Sequence, residues 1–197
     1  HDILLIFDEV ITAFGRSGAT TGAEAFGVTP DIMNVAKQIT NGAVPMGAVI
    51  ATGEIFDTFM HAGGAQHAIE FPHGYTYSAH PVACAAGLAA LEMMERENFP
   101  AQVNAIAPVF EQKLHALKGH NHIVDIRNYG LAGALQLAPR NGDPTIRPRD
   151  AHMALWEAGF YVRYGGDTLQ FGPPFATTEA ELERLFDAVA ETLDRLD

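Results

Sequence analysis

Four side chains in this sequence stand where their type and setting permit chemistry: Lys37, Asp8, Arg163 and Thr76. The chain has only three lysines. Lys113 and Lys118 fall on the polar face of a helix just before Gly119, which suits solvated charges. Lys37 instead follows Met33-Asn34-Val35-Ala36 at the end of a predicted strand. A lysine in a restricted, partly desolvated place loses its proton readily and can form a Schiff base with an aldehyde. A lysine snorkelling out of a strand end explains the same spacing at least as well. Asp8 closes the apolar run Ile3-Leu4-Leu5-Ile6-Phe7. A carboxylate at a buried strand end needs a cationic or hydrogen-bonding partner. A protonated ring nitrogen would serve, and so would the backbone of the following loop.

Arg163 lies in the otherwise apolar segment Phe160 to Gly165. There it can grip a carboxylate through two parallel hydrogen bonds, or form an ion pair within its own domain. Thr76, in Gly74-Tyr75-Thr76-Tyr77-Ser78, offers a hydroxyl beside exposed backbone N–H groups, a combination that can hold a phosphate. Taken alone, an ordinary turn threonine is the simpler account. Nine histidines raise the question of a metal. His61 with His67, and His120 with His122, are neighbours in sequence, but none combines with cysteine or carboxylate at ligand spacing, so no metal is expected. The glycines from Gly15 to Gly22 do not follow a phosphate-loop pattern, and no serine sits in a nucleophile elbow.

Charge and composition narrow the classes further. With 12 basic and 24 acidic residues the formal charge is -12, which argues against a nucleic-acid-binding surface or a polybasic membrane patch. The single Cys84 excludes a disulfide within the chain. No apolar run reaches the ~18 residues of a membrane span, and no leader-like stretch opens the chain. A cytoplasmic location is therefore the expectation. The first strand follows at once on His1-Asp2, with no methionine, which suggests a further N-terminal part.

The elements that must position these residues form two blocks. Ile3–Phe7 is continuously apolar and predicts a strand buried on both faces, with Asp8 at its carboxyl end, where ligands bind in open α/β sheets. Strands are predicted at Ile32–Ala36 and Met46–Ala51, a turn at Asn41-Gly42, and a short helix over 54–60. A polar loop runs from His61 to His80. Pro81 then opens a helix, Val82–Glu97, whose small residues imply tight packing. Asn98-Phe99-Pro100 breaks it, so the domains are expected at 1–98 and 99–197. In the second block Val103, Ile106, Phe110, Leu114 and Leu117 keep helical spacing. Strands are predicted at 122–127, 131–137, 160–164 and 168–172, and a helix at 149–158. Thr178 and Glu181 fit a capping box ahead of the stripe Leu182, Leu185, Phe186, Val189, Leu193 and Leu196.

Three ordered motifs resemble the class III (ω-) aminotransferases, which are fold-type I pyridoxal-phosphate enzymes. They are Leu5 to Thr12 with Gly15-Arg16-Ser17-Gly18; Pro30 to Lys37 with Gly42 and Pro45-Met46-Gly47-Ala48; and Gly74 to Pro81. The resemblance covers nearly the whole chain. It implies an α/β architecture: the C-terminal part of the cofactor-binding large domain, followed by a small C-terminal α+β domain. It also implies a catalytic Lys37 that holds the cofactor and shuttles a proton. Asp8 would pair with the ring nitrogen, Val10 would pack on a ring face, and Thr76 would reach the cofactor phosphate of a neighbouring subunit in a homodimer or higher homo-oligomer. The longer motif Phe71-Pro72-His73-Gly74-Tyr75-Thr76-Tyr77-Ser78 and the position of Arg163 look most like the β-alanine (ω-amino acid):pyruvate branch, with Arg163 on the substrate carboxylate. The alternatives are members acting on 4-aminobutyrate, ornithine or diaminopelargonate, or an inactive fragment of such an enzyme. Enzymes of this family are longer than this chain, and the remainder would supply the phosphate loop and the aromatic ring that stacks on the cofactor.

Overall fold

The computed structural model describes residues 1, 3–67 and 74–197, so Phe71, Pro72 and His73 of the long motif lie outside the described residues. The chain divides into two compact units: His1–Gly15 with Ala19–Phe99, and Arg16–Gly18 with Pro100–Asp197.

The first unit is built on a three-stranded sheet of order β1-β2-β3. Strand β1 (Ile6–Asp8) runs parallel to β2 (Ile32–Ala36), with Ile6 opposite Ile32 and Asp8 opposite Asn34. Strand β3 (Gly47–Ala51) is antiparallel to β2 and sets Gly47 opposite Ala36. A parallel pair requires a crossover, and the short helix α1 (Gly22–Phe26) lies within it. Thr21 caps α1 by accepting from the Glu24 N–H, and Gly27 ends it in a left-handed conformation. After β2 the chain enters a single 3-10 turn, Lys37–Thr40. Two helices follow, α2 (Gly53–Ala62) and α3 (Pro81–Glu97). Gly87 of α3 is buried, and a Cβ there would meet Met46 Sδ at 3.3 Å and the Ile39 carbonyl oxygen at 3.6 Å. The small residues of α3 thus bring this helix down onto the turn that begins with Lys37. Ala13, Val35 and Ile39 form the buried cluster beneath.

The first strand departs from expectation. It covers only Ile6–Asp8, and Ile3, Leu4, Leu5 and Ile6 are 82%, 58%, 41% and 55% exposed. A continuously apolar run specifies a strand covered on both faces. Here β1 pairs with β2 alone, and among the described residues no layer closes over it. The approach to the strand is still tethered: Asp31 accepts from the Leu5 N–H at 2.7 Å and donates its own N–H to the Leu5 carbonyl at 2.9 Å.

The second unit is a four-stranded antiparallel sheet of order β4-β5-β7-β6 with helices packed on it. Its elements are α4 (Phe99–Ala116), β4 (Ile123–Tyr129), β5 (Ala132–Leu137), α5 (Ile146–Glu157), β6 (Arg163–Gly165), β7 (Thr168–Phe171) and α6 (Glu179–Arg195). The core joins Val103, Phe110 and Leu114 of α4 to Leu135 and Leu169 of the sheet and to Leu182, Phe186, Val189 and Leu193 of α6. Two element starts move by three residues. Helix α5 begins three residues before the expected 149, since Pro148 is tolerated in a first turn whose N–H groups have no helical partner. Strand β6 begins at Arg163 rather than 160, because the Phe160 N–H is taken by the Leu155 carbonyl at the end of α5.

The strap Arg16–Gly18 belongs to this second unit, which no sequence pattern signals. The Arg16 guanidinium donates to the carbonyls of Leu131 (3.1 Å) and Pro173 (2.5 Å) and lies over the Phe175 ring at 4.6 Å. Burial holds its pKa below the usual arginine value. Asn104 secures the far end by donating to the Gly18 carbonyl at 2.7 Å.

The capping box of α6 is formed on both sides, Thr178 Oγ1 accepting from the Glu181 N–H and Glu181 from the Thr178 N–H. Thr178→Ala should destabilise the protein by about 1 kcal/mol, measured by urea denaturation. The bond from the Thr178 N–H, and then that from its hydroxyl, hold the Glu181 carboxylate below its usual pKa. That contribution is present above the unfolded carboxylate value and is lost as pH falls through the lower folded value. The deficit of the variant should therefore shrink in acid. Among the described residues no helix is long and apolar enough to cross a membrane.

Candidate active site

Because β1 and β2 are parallel, their carboxyl ends open on the same side, and two of the expected residues stand there. Asp8 is the last residue of β1. Lys37 lies three positions beyond Asn34, the residue paired with Asp8. The backbone at Lys37 is left-handed, with φ of 51°. For a residue with a Cβ this costs about 1–3 kcal/mol, and such outliers collect at functional sites. The surroundings impose it. Ile39 and Thr40 are buried directly after it, the Thr40 hydroxyl donates to the Val44 carbonyl at 2.6 Å, and Asn41 (φ 50°) closes the turn through its N–H to Gln38. The main chain at Lys37 is thus held while the side chain is exposed. Its Nζ has no hydrogen bond or ion pair among the described residues.

Asp8 is also exposed. Its Oδ1 accepts the Val10 N–H at 3.1 Å, so the carboxylate shapes the turn and keeps its other oxygen without a partner among the described residues. Val10, half-buried, sits in that turn. Glu9, between them, is buried at 2% exposure. Spacing does not single it out. The available signal is a second carboxylate at the end of an apolar strand, followed by Thr12 and by a glycine, Gly22.

Thr76 does not join this group. It opens an exposed turn over 76–79, braced by the Tyr75 N–H to Ser78 Oγ (3.0 Å) and by Ala79 with φ of 58°. A cleft of about 440 Å³ lies beside the turn, lined by Val44, Met46, Tyr75, Tyr77, His80 and Cys84 among others; Lys37, Asp8 and Thr76 do not line it. Arg163 belongs to the second unit, where it begins the edge strand β6 opposite Gln170. It is exposed and makes no ion pair among the described residues, so the alternative of an ion pair within its own unit has no partner there. Among the described residues no group of three or more His, Cys, Asp or Glu side chains could hold a metal ion.

The fold is that of part of a fold-type I transaminase. An aminotransferase from Vibrio fluvialis, solved in its PMP-bound form, superposes with a TM-score of 0.90 at 34% identity, over 98% of this chain and 44% of that one. An amine transaminase from an uncultivated Pseudomonas species, solved in its PLP-bound form, gives 0.89 at 36% identity, over 98% and 45%. The family model for class-III aminotransferases matches residues 1–193, and the chain belongs to that family. Among its relatives, the β-alanine–pyruvate aminotransferase of Pseudomonas aeruginosa is 68% identical over 98% of this chain and 43% of its own length. The ω-amino acid–pyruvate aminotransferase of Pseudomonas putida is 63% identical, over 100% and 44%. The chain therefore spans less than half the length of these relatives.

Proposed function

We propose that the protein carrying this chain is a pyridoxal-phosphate-dependent aminotransferase that moves an amino group from an ω-amino acid, β-alanine foremost, to pyruvate. One observation carries the reading: at the carboxyl ends of adjacent parallel strands stand a lysine on a strained turn, without a partner among the described residues, and a carboxylate with one oxygen likewise open among them. That donor set fits the cofactor, with one amine for its aldehyde and one anion for its ring nitrogen. When bound, pyridoxal phosphate supplies an electron-accepting ring conjugated to the substrate amine.

The chain's own side chains do the rest. Lys37 Nζ would hold the cofactor between turnovers and would carry the proton between the substrate carbon bearing the amino group and the cofactor. Asp8 accepts the hydrogen bond of the ring nitrogen and keeps it protonated. Val10 packs on one face of the ring. Thr76, on its exposed turn, donates its hydroxyl to the phosphate held by a second copy of the protein, so the working unit is a homodimer or a multiple of it. Arg163 grips the substrate carboxylate. The identity to the two pyruvate aminotransferases supports β-alanine and pyruvate as the pair.

A donor panel on the full-length protein with pyruvate as acceptor tests the reading. β-Alanine should lead. A faster rate with 4-aminobutyrate would move the protein toward its more distant relatives, such as the γ-aminobutyrate transaminase 1 of Solanum lycopersicum at 35% identity. The same panel tests Arg163. A charge-assisted, two-point contact contributes ~1.5–3 kcal/mol, so Arg163→Ala should raise KM for both β-alanine and pyruvate by roughly 10- to 100-fold. Amines without a carboxylate should be affected far less. Equal losses for both kinds of donor would make Arg163 structural.

A further inference from the structure

Glu9 is the one buried charged residue among the described residues, and nothing in the mechanism above uses it. All the groups around its carboxylate are donors. Oε2 accepts from the Thr12 hydroxyl at 2.5 Å and from the Gly22 N–H at 2.8 Å, and Oε1 accepts from the Ala23 N–H at 2.8 Å. Its main chain is engaged as well: its N–H donates to the Asn34 carbonyl at 2.9 Å, and its carbonyl accepts from Ala13 at 3.1 Å. Glu9 is thereby tied to β2, to the loop after β1 and to the start of α1. Gly22 makes room for it, since a Cβ there would stand 3.0–3.3 Å from the carboxylate atoms.

Asp8 ends β1 and Val10 opens the turn, so a residue held between them through its carboxylate, its N–H and its carbonyl fixes the backbone from which both neighbouring side chains leave. Those neighbours are Asp8 and Val10, the residues read above as the ring-nitrogen partner and the ring-face contact. We propose that Glu9 is a positioning residue: its buried carboxylate fixes the strand end so that Asp8 and Val10 meet the cofactor ring in register. This rests on the function proposed above. A carboxylate is required because each oxygen faces an N–H donor. A glutamine would leave either the Ala23 or the Gly22 N–H facing its own NH2 group.

The test is a double-mutant cycle in the full-length protein, with Glu9→Gln, Asp8→Asn and the pair together. The readouts are the dissociation constant for pyridoxal phosphate, from titration of the apo form, and kcat. Glu9→Gln should weaken cofactor binding by about tenfold, equivalent to ~1.4 kcal/mol, and lower kcat with little change in KM. In the Asp8→Asn background the same substitution should add less than about twofold, because the group it positions is already disabled. Should Glu9→Gln fail to fold, Gly22→Ala carries the same cycle in milder form, displacing the carboxylate by a few tenths of an ångström while keeping its charge. An equal loss of cofactor affinity in both backgrounds overturns the proposal, as does a lower melting temperature with affinity and kcat intact. If Asp8→Asn alone changes neither readout, the functional reading fails first and the proposal falls with it.

Discussion

Lys37→Arg should fold normally and lose turnover by at least three orders of magnitude. The guanidinium keeps the positive charge and the reach, but it stays protonated and cannot condense with an aldehyde. On the function proposed, two roles disappear together, the covalent hold on the cofactor and the proton transfer, the second alone contributing ~10²- to 10⁴-fold. Stability should hardly move, since Nζ has no partner to lose among the described residues. Lys37→Gly sharpens the contrast. The left-handed backbone at this position, φ 51°, is natural for glycine and strained for lysine. The glycine variant should thus be dead yet slightly more stable, as read by kcat and melting temperature on the same preparation. A lysine that merely snorkels from a strand end would tolerate arginine with its activity intact.

Asp8→Asn should lower kcat by ~10²- to 10³-fold, the range for removing one preorganised electrostatic partner from a reacting group. The substitution isolates the charge. Asparagine keeps the oxygen that accepts the Val10 N–H, so the turn after β1 survives. On the function proposed, what is lost is the anion that would hold the ring nitrogen protonated, and with it the pull on the substrate's electrons. Cofactor binding should weaken but persist, and KM should change less than kcat. Parallel steady-state kinetics and thermal melts separate the two roles. Turnover at the parental level would leave Asp8 as a turn former alone.

Lys37 and Asp8 are legible in the sequence as candidates. Lys37 stood apart because the other two lysines had ordinary helical settings, and Asp8 because an apolar strand ended on it. Of the two accounts of Asp8, the loop contact is present: one carboxylate oxygen accepts the Val10 N–H, and the other has no partner among the described residues. Regular periodicity made α6 readable, and its capping box is formed by the expected pair, Thr178 and Glu181. The illegible features all depend on contacts remote in sequence or on backbone geometry. Arg16 meets carbonyls 115 and 157 residues away, a distance over which no local pattern operates. The strain at Lys37 accompanies the burial of Ile39 and Thr40 in the same turn, and no residue-type rule places a lysine in a left-handed conformation. Glu9 follows Asp8 at the strand end, and only the fold shows its carboxylate turning inward to the backbone of α1. The run Ile3–Ile6 erred in the opposite direction. Its composition describes a strand covered on both faces, and the described residues cover neither.

The central claim is that Lys37 is the residue that bonds to pyridoxal phosphate. Borohydride reduction of the full-length holoenzyme, followed by proteolysis and mass mapping of the modified peptide, tests it directly. The cofactor mass should be found on the peptide containing Met33-Asn34-Val35-Ala36-Lys37, and on no other. Attachment at Lys113, at Lys118 or at any lysine elsewhere in the protein would contradict it.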